Sequence, residues 1–278
     1  MATNASGAKR EPGAIFGSFG VLYERRWLVW YFIQRQLTQS HRGSFLGLFW
    51  LVLGPLMMAS LYTLVFSEVV GLRFRETDSA SNFGLYMFCG LLPFLALSTT
   101  LNRSSSSIKG NSTLVKRVVF PLEVIPFSTA ATSIIAQFFG FTALLFLIML
   151  FEGHLQWTLL YLPIIIIPQL FLTLGAGYLT TIAGAYLPDL KESMQAITRA
   201  MFFTTPIIWP VERVPDHLSF IVDYNPLAYL VEVYRNLFLD GVVPDMRGLF
   251  FFTLFSLALA VLGFILFART KKKFADLI

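Results

Sequence analysis

The 278-residue chain reads as an all-α membrane protein. Six transmembrane helices are expected, preceded by an N-terminal amphipathic interfacial helix, with short external re-entrant helices before the last span. Three observations predict this. The chain is 56% hydrophobic and 13% charged, whereas a soluble domain carries about a quarter of its residues as charges. Its apolar residues collect in runs of roughly 20, the length a helix needs to cross a bilayer. Ahead of the first run, apolar and aromatic residues recur at helical spacing. Residues 1–45 read as a cytoplasmic tail with the interfacial helix, and 46–278 as the transmembrane domain.

The first twenty residues hold no long apolar core with small residues behind it, so no cleaved signal peptide is expected. From Phe19 the residues Leu22, Tyr23, Trp27, Trp30, Ile33 and Leu37 fall on one helical face, and Glu24, Arg35, Gln39 and Arg42 on the other. Aromatic rings opposite arginines suit a helix lying in the membrane interface. Such a helix is either an anchor or a contact for a soluble partner. At Arg42-Gly43-Ser44 the chain turns from this basic segment into the first apolar run.

Spans are expected over 46–67, 83–101, 124–150, 159–187, 194–210 and 248–267; the fifth is the shortest and is broken by Pro206. Six spans return both termini to one side. Of the 21 Lys and Arg, only Arg73, Arg75, Arg213, Arg235 and Arg247 fall on the other side. Basic residues are retained in the cytoplasm. The termini and the loops near 102–123 and 188–199 are therefore expected there, and 68–82, 151–158 and 211–247 outside. This topology, with anionic lipid, accounts for the net charge of +5 and leaves no role for nucleic acid.

The spans carry few ionisable groups: Glu68 and Glu123 sit at expected ends. That argues against a proton- or sodium-coupled transporter. His41, His154 and His217 fall in loops or seams, and the lone Cys89 suggests neither a disulfide nor a metal cluster. A membrane-embedded acyl- or glycosyltransferase would need an acidic or histidine centre near a membrane face, and none stands out. Prolines 55, 93, 126, 163, 168 and 206 mark kinks or breaks. Gly175-Ala176-Gly177 and Ala183-Gly184-Ala185 give the fourth span a small-residue face. It suits a close helix contact, within the chain or between two copies. The 29 Phe, 10 Tyr and 5 Trp form either lipid-facing belts or rings along a pore, whose flat apolar faces suit an extended sugar chain.

The cytoplasmic segment 102–122 is basic and Ser-rich, and its Gly110-Asn-Ser-Thr lacks phosphate-loop spacing. It and Pro188–Glu192 are either solvated loops or a docking surface for a motor. Outside, Asn225-Pro226 starts a helix that Gly241 stops, with apolar spacing at Leu227, Leu230, Val231, Tyr234, Leu237 and Phe238.

These motifs, in order, carry a resemblance. Arg42-Gly43-Ser44-x-Leu46-Gly47-x-x-Trp50-x-x-x-x-Pro55 resembles the start of the membrane subunit of ABC-2-type polysaccharide exporters. So do Lys116-Arg117-x-x-Phe120-Pro121-x-Glu123, Pro206-Ile-Ile-Trp-Pro210, Asn225-Pro226-Leu227 with Tyr229, Tyr234-Arg235 and the basic 269–274 tail. The resemblance runs from Leu22 to Ile278. It departs at Gly54-Pro55, where relatives often carry Asn-Pro. The chain resembles the permease of an O-antigen exporter, with capsule and teichoic-acid permeases as close relatives.

The resemblance implies a non-enzymatic, pore-forming permease in a bacterial inner membrane, multi-pass, with N- and C-termini cytoplasmic. It implies a homodimer joined by two copies of a separate ABC ATPase subunit. This chain binds no cofactor, and ATP and Mg sit on the partner. The cargo is a lipid-linked glycan of O-antigen type; the alternative is teichoic acid, capsule, or a small lipid or drug. Lys109, Lys116, Arg117, Asp189 and Lys191 are implied to couple to the ATPase. Trp27, Trp30, Arg35, Arg42, Gly43 and Ser44 form the interfacial gate. Trp50, Tyr62 and Phe66, taken to recur on one side of the first span, are candidate pore residues with Tyr229 and Tyr234 of the external helices.

Overall fold

The computed structural model describes residues 20, 22–39, 43–72, 80–116, 120–211 and 214–277. Among them every regular element is a helix. Helix α1 spans Arg26–Gln39, and the first span runs Gly47–Val69, with α2 (Trp50–Tyr62) at its centre. Helix α3 is Ala80–Ser104, followed by two single turns, α4 (Ser107–Gly110) and α5 (Ser112–Val115). Then come α6 (Val124–Phe151), α7 (Leu162–Tyr186) and α8 (Leu190–Thr204). The short α9 (Phe220–Asp223), α10 (Pro226–Arg235) and α11 (Met246–Thr270) complete the chain.

Five of these stretches are long and apolar enough to cross a membrane: Gly47–Val69, Asn82–Ser104, Val124–Phe151, Trp157–Tyr186 and Met246–Phe274. They match five of the six expected spans. The one expected over 194–210 does not form as an unbroken helix. Helix α8 has 15 residues, about 22 Å at 1.5 Å per residue, short of a hydrocarbon core of roughly 30 Å. It ends because Pro206 has no N–H to continue the ladder and disfavours helical backbone before it; Thr205 is extended, at φ −95° and ψ 136°.

The contacts sort the loops into two ends. At one end, the Lys271 ammonium pairs with the buried Glu123 carboxylate, and Phe274 is enclosed beside Tyr186 and Phe267. Ser107 of α4 meets Thr181 of α7 at 3.4 Å, and Phe32 of α1 lies against Phe120. At the other end, Gln156 donates to the Leu239 carbonyl and Thr158 to that of Leu237, while Tyr86 bonds Asp240. Among the described residues, α1, 105–116, 120–123, 186–190 and 271–274 thus lie together, segments that the charge count also assigns to one side.

The small-residue face of α7 is used inside the protomer. A Cβ on Gly175 would stand 2.6 Å from the Leu259 backbone carbon of α11, and one on Gly184 2.0 Å from the Ser105 carbonyl oxygen. The sequence left open whether this face joins helices of one chain or of two; at these glycines the neighbours are this chain's own. The first span is the opposite case. Only 6% of its apolar window is buried, against 78% for Asn82–Ser104.

Candidate functional site

Helix α1 packs on the start of α6 through Val29, Phe32 and Ile33, which close over Val124. Gln36, one turn further, donates to Ser128 Oγ at 3.0 Å. The expected apolar face divides here, with Leu22, Ile33 and Leu37 joining this packed side. Val29 and Phe32 are inside, whereas Trp27 and Trp30 remain 62% and 54% exposed. The periodicity is helical as predicted, but the aromatic ridge and the packed ridge are different sides of one helix. Arg35 lies over the Phe32 ring, 5.7 Å from its centroid.

The turn that follows is built by glycine. Gly43 has φ 83° and Gly47 φ 50°, left-handed values that β-carbons disfavour. Trp50 Nε1 donates to Ser44 Oγ at 2.8 Å, tying the first turn of α2 back to the seam. Arg42 lies outside the described residues, as does Arg117.

Trp50 faces a cavity of about 410 Å³ between the first span, α3, α6 and the end of α1, walled also by Pro55, Leu92, Leu95 and Gln137. Tyr62 and Phe66 do not share it. Tyr62 stacks on Phe202 of α8 at 5.3 Å and 30°, and Phe66 packs beside it at 6.2 Å. The expectation that the three rings recur on one side fails. Twelve residues of α-helix between Trp50 and Tyr62 turn the side chain by roughly 120°, and the π-helical stretch Thr63–Val69 changes the phase again.

Beyond α9, Asn225 caps α10 by accepting from the Leu227 N–H at 2.9 Å, and Gly241 ends the run at φ 65°, both as predicted. Tyr229 is half-buried against Phe252, with ring centroids 5.2 Å apart. Tyr234 is fully buried and donates to Gln169, which exchanges hydrogen bonds with Gln137. Tyr234 therefore presents no surface to a path through this protomer. Beside it, buried Arg235 donates through Nε to the Tyr86 carbonyl at 3.2 Å and through an Nη to that of Ile207 at 2.9 Å. Its five fixed donors suit two separated carbonyls. Sequence reading took Arg235 for an external loop charge. Gln137 and Gln169 were visible as polar residues inside apolar runs, but not as partners.

At the opposite end Lys109, Lys116, Asp189 and Lys191 are all exposed on the loop face, while Ile108 and Val115 between them are buried. The Glu123–Lys271 pair and the Tyr178 hydroxyl on the Glu123 carbonyl, at 3.1 Å, fix this face to α7 and the tail. Removing one partner of such a pair costs more than removing both, because it leaves a buried charge alone. Lys271→Met is expected to lose about 3 kcal/mol, and Glu123→Gln with Lys271→Met to recover much of it. Thermal unfolding of the four species in a double-mutant cycle measures this.

The profile of the ABC-2 type transporter family matches residues 28–239. The chain is 28% identical to the O-antigen export system permease protein RfbA of Myxococcus xanthus, over 92% of this chain and 96% of that protein. It is 27% identical to a protein of the same name from Klebsiella pneumoniae, over 88% and 92%. It is 25% identical to the polysialic acid transport protein KpsM of Escherichia coli, over 83% and 88%.

Proposed function

The chain belongs to the ABC-2 type transporter family, and from that premise we propose that it is the membrane subunit of an ATP-driven exporter of lipid-linked polysaccharide. One observation carries the reading. The similarity to O-antigen and polysialic acid permeases extends over 83–92% of this chain and 88–96% of those proteins, which supports a common kind of cargo more strongly than any single motif would. We place the chain in a bacterial inner membrane with α1, the 105–123 loop and both termini cytoplasmic. In this arrangement α8 and the turn at residues 205–210 make the remaining crossing as a broken span. The exposed Lys109, Lys116, Asp189 and Lys191 receive two copies of a separate ATPase, which holds ATP and Mg. The outward face of the first span, with Met57, Leu61 and Leu64, meets lipid and a second copy of the chain.

The test has two parts. A tagged chain purified from its own host is expected to bring down a separate ATPase. Deleting the gene is expected to leave the polymer inside the cell, complete and still on its lipid. Export continuing in the deletion strain, or a polymer exported but lacking a substituent, would overturn the reading.

A further inference from the structure

A second cavity adjoins the first. It measures about 370 Å³ and lies among α1, the end of α3, the α4 turn and the start of α6, where Arg35, Gln39, Asn111 and Thr129 face it. Gln36 and Arg103 line both cavities and so stand at the throat between them. The two chambers differ in character. The first is walled mainly by hydrocarbon from Leu92, Leu95, Ala136 and Met58. The second offers two guanidinium groups with amide and hydroxyl groups around them. Among the described residues, no Asp or Glu lines either chamber. Thr132, also facing the apolar chamber, is buried, and its hydroxyl has no hydrogen-bond partner among the described residues. Each volume falls within the roughly 300–1,000 Å³ usual for ligand pockets.

The depth ordering matches a lipid. The polar chamber sits at the end of the molecule that carries the α4 turn, at headgroup level, and the apolar chamber runs inward from it between the first half of the first span, Trp50 to Met58, and the second half of α3. Guanidinium pairs bind phosphate oxygens in a fork geometry that a single ammonium cannot match. We infer that this two-chamber groove binds an anionic phosphate-headed lipid, with the phosphate held by Arg35 and Arg103 and the hydrocarbon chain laid over Leu95 and Ala136. Two sources supply that chemistry. One is the acidic phospholipid of the bilayer. The other is the polymer's own polyprenyl phosphate anchor, and only this second source rests on the function proposed above.

The purified full-length chain, delipidated in detergent, is titrated by native mass spectrometry. The probes are dioleoyl phosphatidylglycerol, undecaprenyl phosphate and, as the uncharged control, dioleoylglycerol. Both phosphate lipids are expected to bind and the control to be lost. Arg35→Gln with Arg103→Gln is expected to weaken binding by roughly tenfold or more, from charge-assisted hydrogen bonds removed. Ala136→Leu keeps both arginines but fills the apolar chamber, and is expected to weaken binding comparably in a folded protein. Arg26→Gln, on the exposed side of α1, leaves it unchanged. Undecaprenyl phosphate displacing phosphatidylglycerol marks the anchor as occupant, and the reverse marks bilayer lipid; either supports the site. Dioleoylglycerol held as tightly as the phosphate lipids overturns it, as does wild-type affinity in both the arginine pair and Ala136→Leu variants. Lipid bound by a chain whose deletion leaves export intact would sink the function and spare the site.

Discussion

Gly184→Ala is expected to destabilise the protein by about 3 kcal/mol and abolish export, while Gly140→Ala is nearly silent. Both glycines sit in helices, and both would place a Cβ impossibly near a neighbour: 2.0 Å from Ser105 O for Gly184, 2.2 Å from Leu92 Cδ2 for Gly140. The neighbours decide the outcome. Leu92 meets Gly140 with the end of a rotatable side chain, and it borders the 410 Å³ cavity into which it can turn. The alanine's better helix propensity, about 1 kcal/mol, offsets that shift. Ser105 meets Gly184 with backbone, and this backbone links α3 to the α4 turn. Moving it moves Ile108 and the exposed Lys109 away from α7. Thermal unfolding of the two purified variants ranks them, and surface polysaccharide in complemented deletion strains reads the functional half. Equal losses in both variants would mean that the α7–Ser105 approach does not hold the loop face in place.

That contrast also marks what was legible in the sequence. A bilayer imposes a length and a composition, so five spans could be read to within a few residues at most ends. Capping chemistry is equally local, which is why Asn225 and Gly241 were correctly placed as start and stop. The direction of a face is not local. Gly175 and Gly184 announce a close approach without naming the partner, and only the fold identifies α11 and Ser105. Helix α1 is amphipathic on two ridges, and the Trp-bearing ridge has the stronger signature although Val29 and Phe32 do the packing. The expected fifth span was already marked by Pro206 as broken, and that proline's missing N–H ends the helix at Thr204. Of the candidate site residues, those on exposed loops were visible through charge. The throat residues Gln36 and Arg103 were not, because they are remote in sequence and acquire meaning only by lining the same cavity.

Arg235→Ala is expected to open the half of the molecule around α10, and the chain carries its own reporter. Arg235 ties three separate pieces together: α10, the Tyr86 carbonyl of α3 and the Ile207 carbonyl of the segment that breaks after α8. Removing it strands the Ile207 carbonyl, whereas the Tyr86 carbonyl lies within the α3 ladder. At roughly 1–3 kcal/mol for an unsatisfied group, the loss is about 2 kcal/mol, before any cavity cost. Gly90 is part of the same joint. A Cβ there would lie 2.9 Å from Val231 and 3.2 Å from the Arg235 guanidinium, so α3 and α10 are held at glycine distance. Cys89, next to it, is the single cysteine of the chain and is fully buried. A maleimide should therefore leave the wild type unmodified and label the Arg235→Ala variant at one position. Arg235→Lys tests geometry against charge. An ammonium keeps the charge but has no rigid fork with which to reach both carbonyls, so its labelling should fall between the two. If Arg235→Ala stays unlabelled under conditions that label the unfolded chain, the helices around α10 are held by the Tyr234–Gln169–Gln137 network without the arginine's help.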